Sequence, residues 1–318
     1  MGELKTLIES FVKKEGRTNE TQGHKDARRF LCSALEKLGL DAYGGDSFEL
    51  PYGKPGQDFV NVVARRVGSN RKLKPNLIAA HYDTCGMLPG ADDNASSVCL
   101  LLRLIKLLKD KPLARDLVFA FFDAEEPPYF LQPAMGSIRF YEDQLREPIN
   151  LAVVLDMVGH DTIVPGMESG LFLGGLESDP FLSSLLEDSS FDELPVLPLS
   201  FDVVGSVSDY HIFHENTVPY IFLTSGRWLH YHSPTDTPEK LNYHRLELVE
   251  NFVLNLLINA DEHCLTGPFG SCSTFIFQIK RIKKFLKQTL VELKFELNSK
   301  DELIKFEKEL LHRYRLWL

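Results

Sequence analysis

HYDTCGMLPGADDNASS, residues 81–97, follows the apolar run PNLIAA and precedes SVCLLLRLIKLLK. The first flank reads as a buried strand and the second as a buried helix, so the segment between them is a strand-to-helix loop. It carries a histidine, three aspartates, an asparagine and two glycines. Open α/β sheets build ligand sites where strand ends spill into loops at their carboxyl edge. Taken alone, DDNASS is equally readable as a solvated turn with an Asx helix cap. The rest of the chain decides between the two.

Outward from this loop, strand-like runs alternate with helical ones. FVNVVARRV (59–67), NLIAAHY (76–82), DLVFAFFD (116–123), LAVVLDMV (151–158), GLFLGG (170–175) and PYIFLTS (219–225) are the expected strands. Three of them are almost wholly apolar, as central strands covered on both faces are. Helical periodicity falls at 3–14, 24–38 (with Gly39 as C-cap), 94–109, 137–146, 179–188, 208–215 and 244–262. The expected fold is α/β, a three-layer sandwich around a mostly parallel mixed sheet. Residues 1–265 form this domain. TGPFGSCS (266–273) reads as a linker, and 274–294 and 300–315 as two Lys- and Glu-rich helices, a C-terminal helical extension. Its apolar positions Phe285, Leu286, Leu290, Leu293 and Phe295 call for a covering surface, either the main domain or a second copy of the chain.

Composition narrows the class. Of 318 residues, 44% are hydrophobic and 25% charged, values of a globular protein with a large core. The net charge of −10 disfavours nucleic acid and anionic membrane as partners and suits cations. No run reaches the roughly 18 apolar residues of a membrane span. The amphipathic start MGELKTLIESFVKKEGR is neither secretory signal nor anchor, and gives a Met-Gly myristoylation reading little support. Five cysteines (Cys32, Cys85, Cys99, Cys264 and Cys272) form no CxxC pair. They fit a reduced, cytoplasmic protein with mostly structural thiols.

Metal-capable side chains terminate four of the expected strands. His81 and Asp83 end the second, Glu125 and Glu126 follow the third, Asp156 ends LAVVLD, and His230 and His232 follow PYIFLTS. One such residue at one strand end is usually just a solvated terminus. Four in one sheet converge on one edge. His81 and Asp83, two apart, face the same side of a strand, which suits a histidine ligand oriented by a carboxylate. Glu125 and Glu126 can share a site only where the strand yields to a loop, which Pro127-Pro128 enforces. One glutamate is then free to act as ligand and the other as general base. Two histidines with carboxylates suit zinc, and Asp93 is placed to bridge two ions. Ser96, Ser97 and Ser137 lack a GxSxG elbow and read as helix-start serines rather than nucleophiles.

HYDT, GADDNASS, FDAEE, GS (136–137), LDMVG, SDYHIF and YHSPTDTPEKL resemble, in order and context, the co-catalytic zinc aminopeptidases. Their clan also includes carboxypeptidase-like members and the glutaminyl cyclases. The resemblance covers about residues 20–262. It implies one zinc on His81, Asp93 and Asp156, a second on Asp93, Glu126 and His232, Glu125 as general base, and Asp83 orienting His81. His230 is then a pocket or surface residue. Three departures stand out: NASS in place of NASG, a longer loop PPYFLQPAM between Glu126 and Gly136, and Tyr210 where SDHxxF has histidine. The oxyanion-stabilising tyrosine of some members has no evident counterpart, Tyr210 or His211 being the nearest candidates.

The resemblance implies an exopeptidase that removes N-terminal residues from peptides with a free N-terminus, using two zinc ions. A single-zinc glutaminyl cyclase is the alternative, and a binding module on a dead site the third reading. The intact ligand set argues against the last. Phe130, Leu131 and Met135 in the longer loop read either as a pocket wall or as core. The extension offers a route to a homo-oligomer.

Overall fold

The computed structural model describes residues 2–54, 57–187, 193–269 and 274–316. Met1, Asp188, residues 270–273 of the expected linker (Cys272 among them) and residues 317–318 lie outside them. Among the described residues nine strands make one sheet: β1 Asp41–Ala42, β2 Glu49–Tyr52, β3 Phe59–Arg66, β4 Asn76–His81, β5 Leu117–Phe122, β6 Leu151–Leu155, β7 Leu171–Gly174, β8 Val196–Pro198 and β9 Tyr220–Thr224. Their order is β1-β3-β5-β4-β6-β9-β7-β8, with β2 also paired to β3. The central four, β5-β4-β6-β9, are parallel and buried at every residue. The expected mixed sheet is therefore parallel at its centre, while β3 and β7 join it antiparallel. The strands absent from the sequence reading, β1, β2 and β8, are two to four residues long, too short to show a period.

Alternation along each central strand divides the core into two layers. Ile78 and Ala80, Phe119 and Phe121, and Val153 and Leu155 pack on one face with helices α1 Gly2–Phe11, α2 Gln22–Leu38, α3 Ser97–Leu108 and α8 Tyr243–Asp261. Leu77 and Ala79, Val118 and Ala120, and Ala152 and Val154 pack on the other with α4 Gly136–Arg139 and α7 His211–Glu215. Each wholly buried Leu or Val there contributes about 1.5–3 kcal/mol. Local chemistry sets the helix ends. Thr21 accepts the His24 N–H at 3.2 Å to start α2, and Gly39, at φ 75°, ends it as expected. Gly136 donates its N–H to the Asp123 carbonyl at 2.8 Å, and a Cβ there would lie 2.2 Å from that oxygen. Only glycine lets α4 approach the end of β5 this closely.

Between β9 and α8, and between β6 and β7, the chain is mostly loop; short helices α5 Leu182–Glu187 and α6 Phe201–Val204 flank β8. The extension divides at Leu286 into α9 Thr274–Phe285 and α10 Lys287–Leu293, followed by α11 Lys300–Arg313. Its apolar face is covered by the chain's own sheet edge. Leu286 and Leu290 are buried with Val164, Met167, Phe172, Leu197 and Leu199, and Phe285, Leu293 and Phe295 pack against the same cluster. No described helix is long and apolar enough to cross a membrane.

Candidate active site

Because β4, β5, β6 and β9 are parallel, their carboxyl ends lie along one edge, and the loops after them carry the histidines and acids. His81 is the last residue of β4 and 1% exposed. Its Nδ1 lies 3.3 Å from Asp83 Oδ1, leaving Nε2 to point across the edge. Asp83 does more than face the imidazole. Its two oxygens accept the backbone N–H groups of Glu125 (3.2 Å) and Glu126 (3.1 Å). One carboxylate thus fixes a ring and the strand-to-loop transition that lets adjacent glutamates share a site.

Ahead of α3 the chain makes a distorted turn, Ala91–Ser96, in which Asp93 and Asn94 leave helical geometry. The two adjacent aspartates are sorted by their partners. Asp92 faces away, with Oδ2 2.5 Å from His160 Nδ1 and Oδ1 accepting the Gly159 N–H at 2.6 Å. Asp93 faces the site. Asn94 ties the turn to the neighbouring strand end, donating to the Leu155 carbonyl at 3.0 Å and accepting the Met157 N–H at 3.3 Å. Asp236, from the TDT of the last motif, accepts the N–H groups of Asp92 and Asp93 at 2.9 and 3.1 Å. The wholly buried Arg17 donates to the carbonyls of Tyr82, Pro89 and Gly90 and so pins the loop in between.

The five expected ligands converge. His81 Nε2 lies 3.4 Å from Asp93 Oδ1 and from Asp156 Oδ1, and 3.8 Å from Glu125 Oε2. His232 Nε2 lies 3.2 Å from Asp93 Oδ2 and 2.9 Å from Glu126 Oε2. Asp93 therefore turns one oxygen to each histidine. His81, Asp93 and Asp156 bring ligand atoms within 4.8 Å of one another, as do Glu126 and His232 with Cys85. His230 is not part of this; its Nδ1 meets Thr235 Oγ1 at 2.7 Å on the exposed side. Three non-glycine residues with left-handed φ sit at the ligands: Ala124 (54°), Met157 (51°) and His232 itself (47°). Each costs on the order of 1–3 kcal/mol, strain of the kind that clusters at working sites.

Asp83, Asp93, Glu125, Glu126, Asp156 and Asp209 are all 5% exposed or less, and His81 and His232 are the histidines facing them. Such a cluster is unstable without positive charge. Burial, with Asp156 and Glu126 adding to it against His81, pushes the Glu125 carboxyl far above its ordinary range. Burial and Asp93 raise Glu126 to about 8. Burial opposes the charge on His232, but the Asp93 and Glu126 carboxylates beside its Nε2 lift it to about 10. Glu126 Oε1 is buried with no hydrogen-bond partner. A buried anionic cluster of imidazoles and carboxylates with an orphaned oxygen fits divalent zinc.

A cavity of about 310 Å³ opens onto these groups. Asp93, Glu125, Glu126 and Asp156 form its floor, and Phe130, Met157, Val207, Phe222, Tyr231 and Leu316 its apolar walls. Phe130 thus belongs to the pocket. Met135 is wholly buried in the core, with Leu131 packed against it. Tyr210 is no oxyanion donor: it is buried, and its hydroxyl bonds the Gly205 carbonyl. His211 is engaged with Ser206 Oγ at 2.8 Å. The tyrosine in the pocket is Tyr231, its ring stacked 3.8 Å from that of His232. Its only sequence signal was its place beside the ligand in YHSPTDT. Asp209 was likewise quoted in a motif without a role. It is fully buried beside Ser137, and burial raises it to about 7, with His81 pulling it back down.

The sheet order and the edge-on metal cradle define a zinc-exopeptidase-like protein. Solved structures with this fold include the Legionella pneumophila LapA aminopeptidase (TM-score 0.65, 17% identity, 83% of this chain and 72% of that one). They also include the Porphyromonas gingivalis glutaminyl cyclase (TM-score 0.66, 18% identity, 80% and 96%). Residues 61–257 match the model of peptidase family M28, and the chain belongs to that family of zinc-dependent enzymes. Among curated relatives, the uncharacterised Escherichia coli protein YfbL is 27% identical over 215 residues, 58% of this chain and 66% of its own. Aminopeptidase YwaD of Bacillus subtilis is 27% identical over 216 residues, 61% and 44%. The chain therefore spans just under two thirds of the first and less than half of the second.

Proposed function

We propose that this chain is an aminopeptidase that hydrolyses the first peptide bond of substrates with a free N-terminus, with two zinc ions and Glu125 as general base. The observation that carries this reading is the Asp93 carboxylate, one oxygen toward His81 and the other toward His232. One ion would be held by His81, Asp93 and Asp156, the other by Asp93, Glu126 and His232. Bound zinc supplies Lewis-acid charge that polarises a carbonyl and acidifies water.

The chain's own residues do the rest. Glu125, at the floor of the pocket, takes a proton from the attacking water and returns it to the leaving amine. Burial favours the neutral form of its carboxyl, and added positive charge favours the carboxylate a base requires. Asp83 holds the Glu125 and Glu126 backbone and the His81 ring in register. Tyr231 presents a phenol on the pocket wall, raised by burial and so retained as a proton donor, suited to the oxyanion. The acidic floor attracts the substrate's ammonium group, and the walls suit an apolar first side chain. The volume fits one or two residues. A cytoplasmic setting is consistent with the four described cysteines, all free thiols.

The test is a panel of aminoacyl amides and N-terminal glutaminyl peptides, with zinc content measured on the same preparation. Hydrolysis of apolar aminoacyl amides at close to two zinc per chain, abolished by chelation and restored by zinc, is the expected result. Cyclisation of glutaminyl peptides at one zinc per chain would instead identify a glutaminyl cyclase.

A further inference from the structure

Cys85 stands apart from the other described cysteines. Cys32 lies on α2, Cys99 is buried in the core and Cys264 is exposed beyond the end of α8, whereas Cys85 sits on the loop between β4 and the Asp93 turn. Its Sγ, a Glu126 oxygen and a His232 ring nitrogen lie within 4.8 Å of one another. Glu126, 4% exposed, gives Oε2 to His232 and leaves Oε1 without a partner. A second, small cavity is lined by Cys85, Asp93, Glu126, His232 and Asp236 among others. Cys85 lines this cavity and not the larger pocket. The thiol thus approaches His232 and Glu126 from a side other than the substrate's.

We propose that Cys85 is a fourth protein donor, as thiolate, to the ion held by Asp93, Glu126 and His232. The inference rests on the two-ion reading above and adds a ligand to it. On binding, the Cys85 S–H bond breaks, its proton leaves to solvent, and the sulfur electron pair is donated to the metal with no change in oxidation state. Zinc accepts a sulfur donor beside imidazole and carboxylate. A thiolate biases that position toward zinc, cobalt or cadmium over magnesium or manganese.

The experiment titrates the metal-stripped full chain with cobalt(II). The expected result is a near-ultraviolet thiolate-to-cobalt charge-transfer absorption, lost in Cys85→Ser while cobalt still binds at the His81 side. In parallel, Cys85 of the unmutated protein is alkylated with iodoacetamide with and without zinc. Zinc is expected to slow its modification at least roughly tenfold, as ligation removes the free nucleophile, and to leave the exposed Cys264 unaffected. Cobalt binding without that absorption, or with it intact in Cys85→Ser, overturns the assignment and leaves the two-ion reading standing. So does equal alkylation of Cys85 in both states. Failure to bind cobalt at all overturns both.

Discussion

Asp236 accepts the backbone N–H of Asp93 at 3.1 Å, and of Asp92 at 2.9 Å, from the loop after β9 that carries His232 four residues earlier. Two ligand-bearing segments, 143 residues apart at Asp93 and Asp236, are thereby held as one unit, much as Asp83 joins His81 to the glutamate pair. Removing such a support usually lowers metal affinity by roughly 10–100-fold. Asp236→Ala is expected to do so with the fold retained, and Asp236→Asn, which keeps one acceptor oxygen, to do less. Zinc titration beside near-ultraviolet circular dichroism checks it. Unchanged affinity in the alanine variant would mean that the turn holds its shape unaided.

The glutamate pair separates base from ligand. Glu125→Gln keeps shape but removes the proton acceptor, so zinc content should remain while turnover falls by about 10²–10⁴-fold. Glu126→Gln replaces an anionic donor, 2.9 Å from His232 Nε2, with a neutral amide. Metal affinity and activity should fall together. Zinc content and turnover measured on the same two samples decide. Zinc lost from the Glu125 variant and kept by the Glu126 variant would reverse the assignment.

The ligand-bearing edge was legible because each polar group interrupts an apolar strand, and parallel strands put their carboxyl ends together. Asp93 reads as the bridge from its place at the start of the core helix; the structure shows why Asp92 is not, since Asp92 is already committed to His160 and Gly159. Tyr210 was a poor surrogate because burial and the Gly205 carbonyl claim its hydroxyl. Tyr231, Arg17, Asp209 and Cys85 carried no periodic or spacing signal. Their positions depend on loop paths, which hydrophobic patterning does not encode. Leu316 was the least accessible, because a residue near the end of the extension reaches the pocket only once α9–α11 have packed.

Leu316 gives the extension a role beyond packing. It is 1% exposed, its carbonyl accepts the Arg227 N–H at 3.1 Å, and it lines the cavity over Asp93, Glu125, Glu126 and Asp156. Leu316→Ala should weaken binding of apolar N-terminal side chains, lowering kcat/KM by roughly tenfold, mostly through KM. Truncation after residue 265 should instead expose the apolar surface around Phe172 and Leu197, lowering solubility. Steady-state kinetics and light scattering read the two effects. Identical KM values across apolar substrates for Leu316→Ala would remove Leu316 from the specificity wall.

Docking of the extension carries its own pH dependence. Glu307 on α11 is fully buried, accepts the Ser200 N–H at 3.3 Å through Oε2, and leaves Oε1 unpartnered. Burial raises its carboxyl to about 8, the Ser200 hydrogen bonds pull it back, and Glu177 and Asp202 push it further up. The folded state therefore holds a proton that the unfolded chain, with a carboxyl near the usual ~4.3, releases. Below that value both states are protonated and nothing is lost. As pH rises from about 4.3 to 8, the unfolded state gains by up to about 1.4 kcal/mol per unit, and stability declines across that window. Glu307→Gln is neutral throughout and can keep the acceptor toward Ser200. The variant's melting temperature should match that of the parent near pH 4.5 and exceed it increasingly toward pH 8. Parallel melting curves for the two proteins across that range would show that Glu307 does not hold its proton in the folded state.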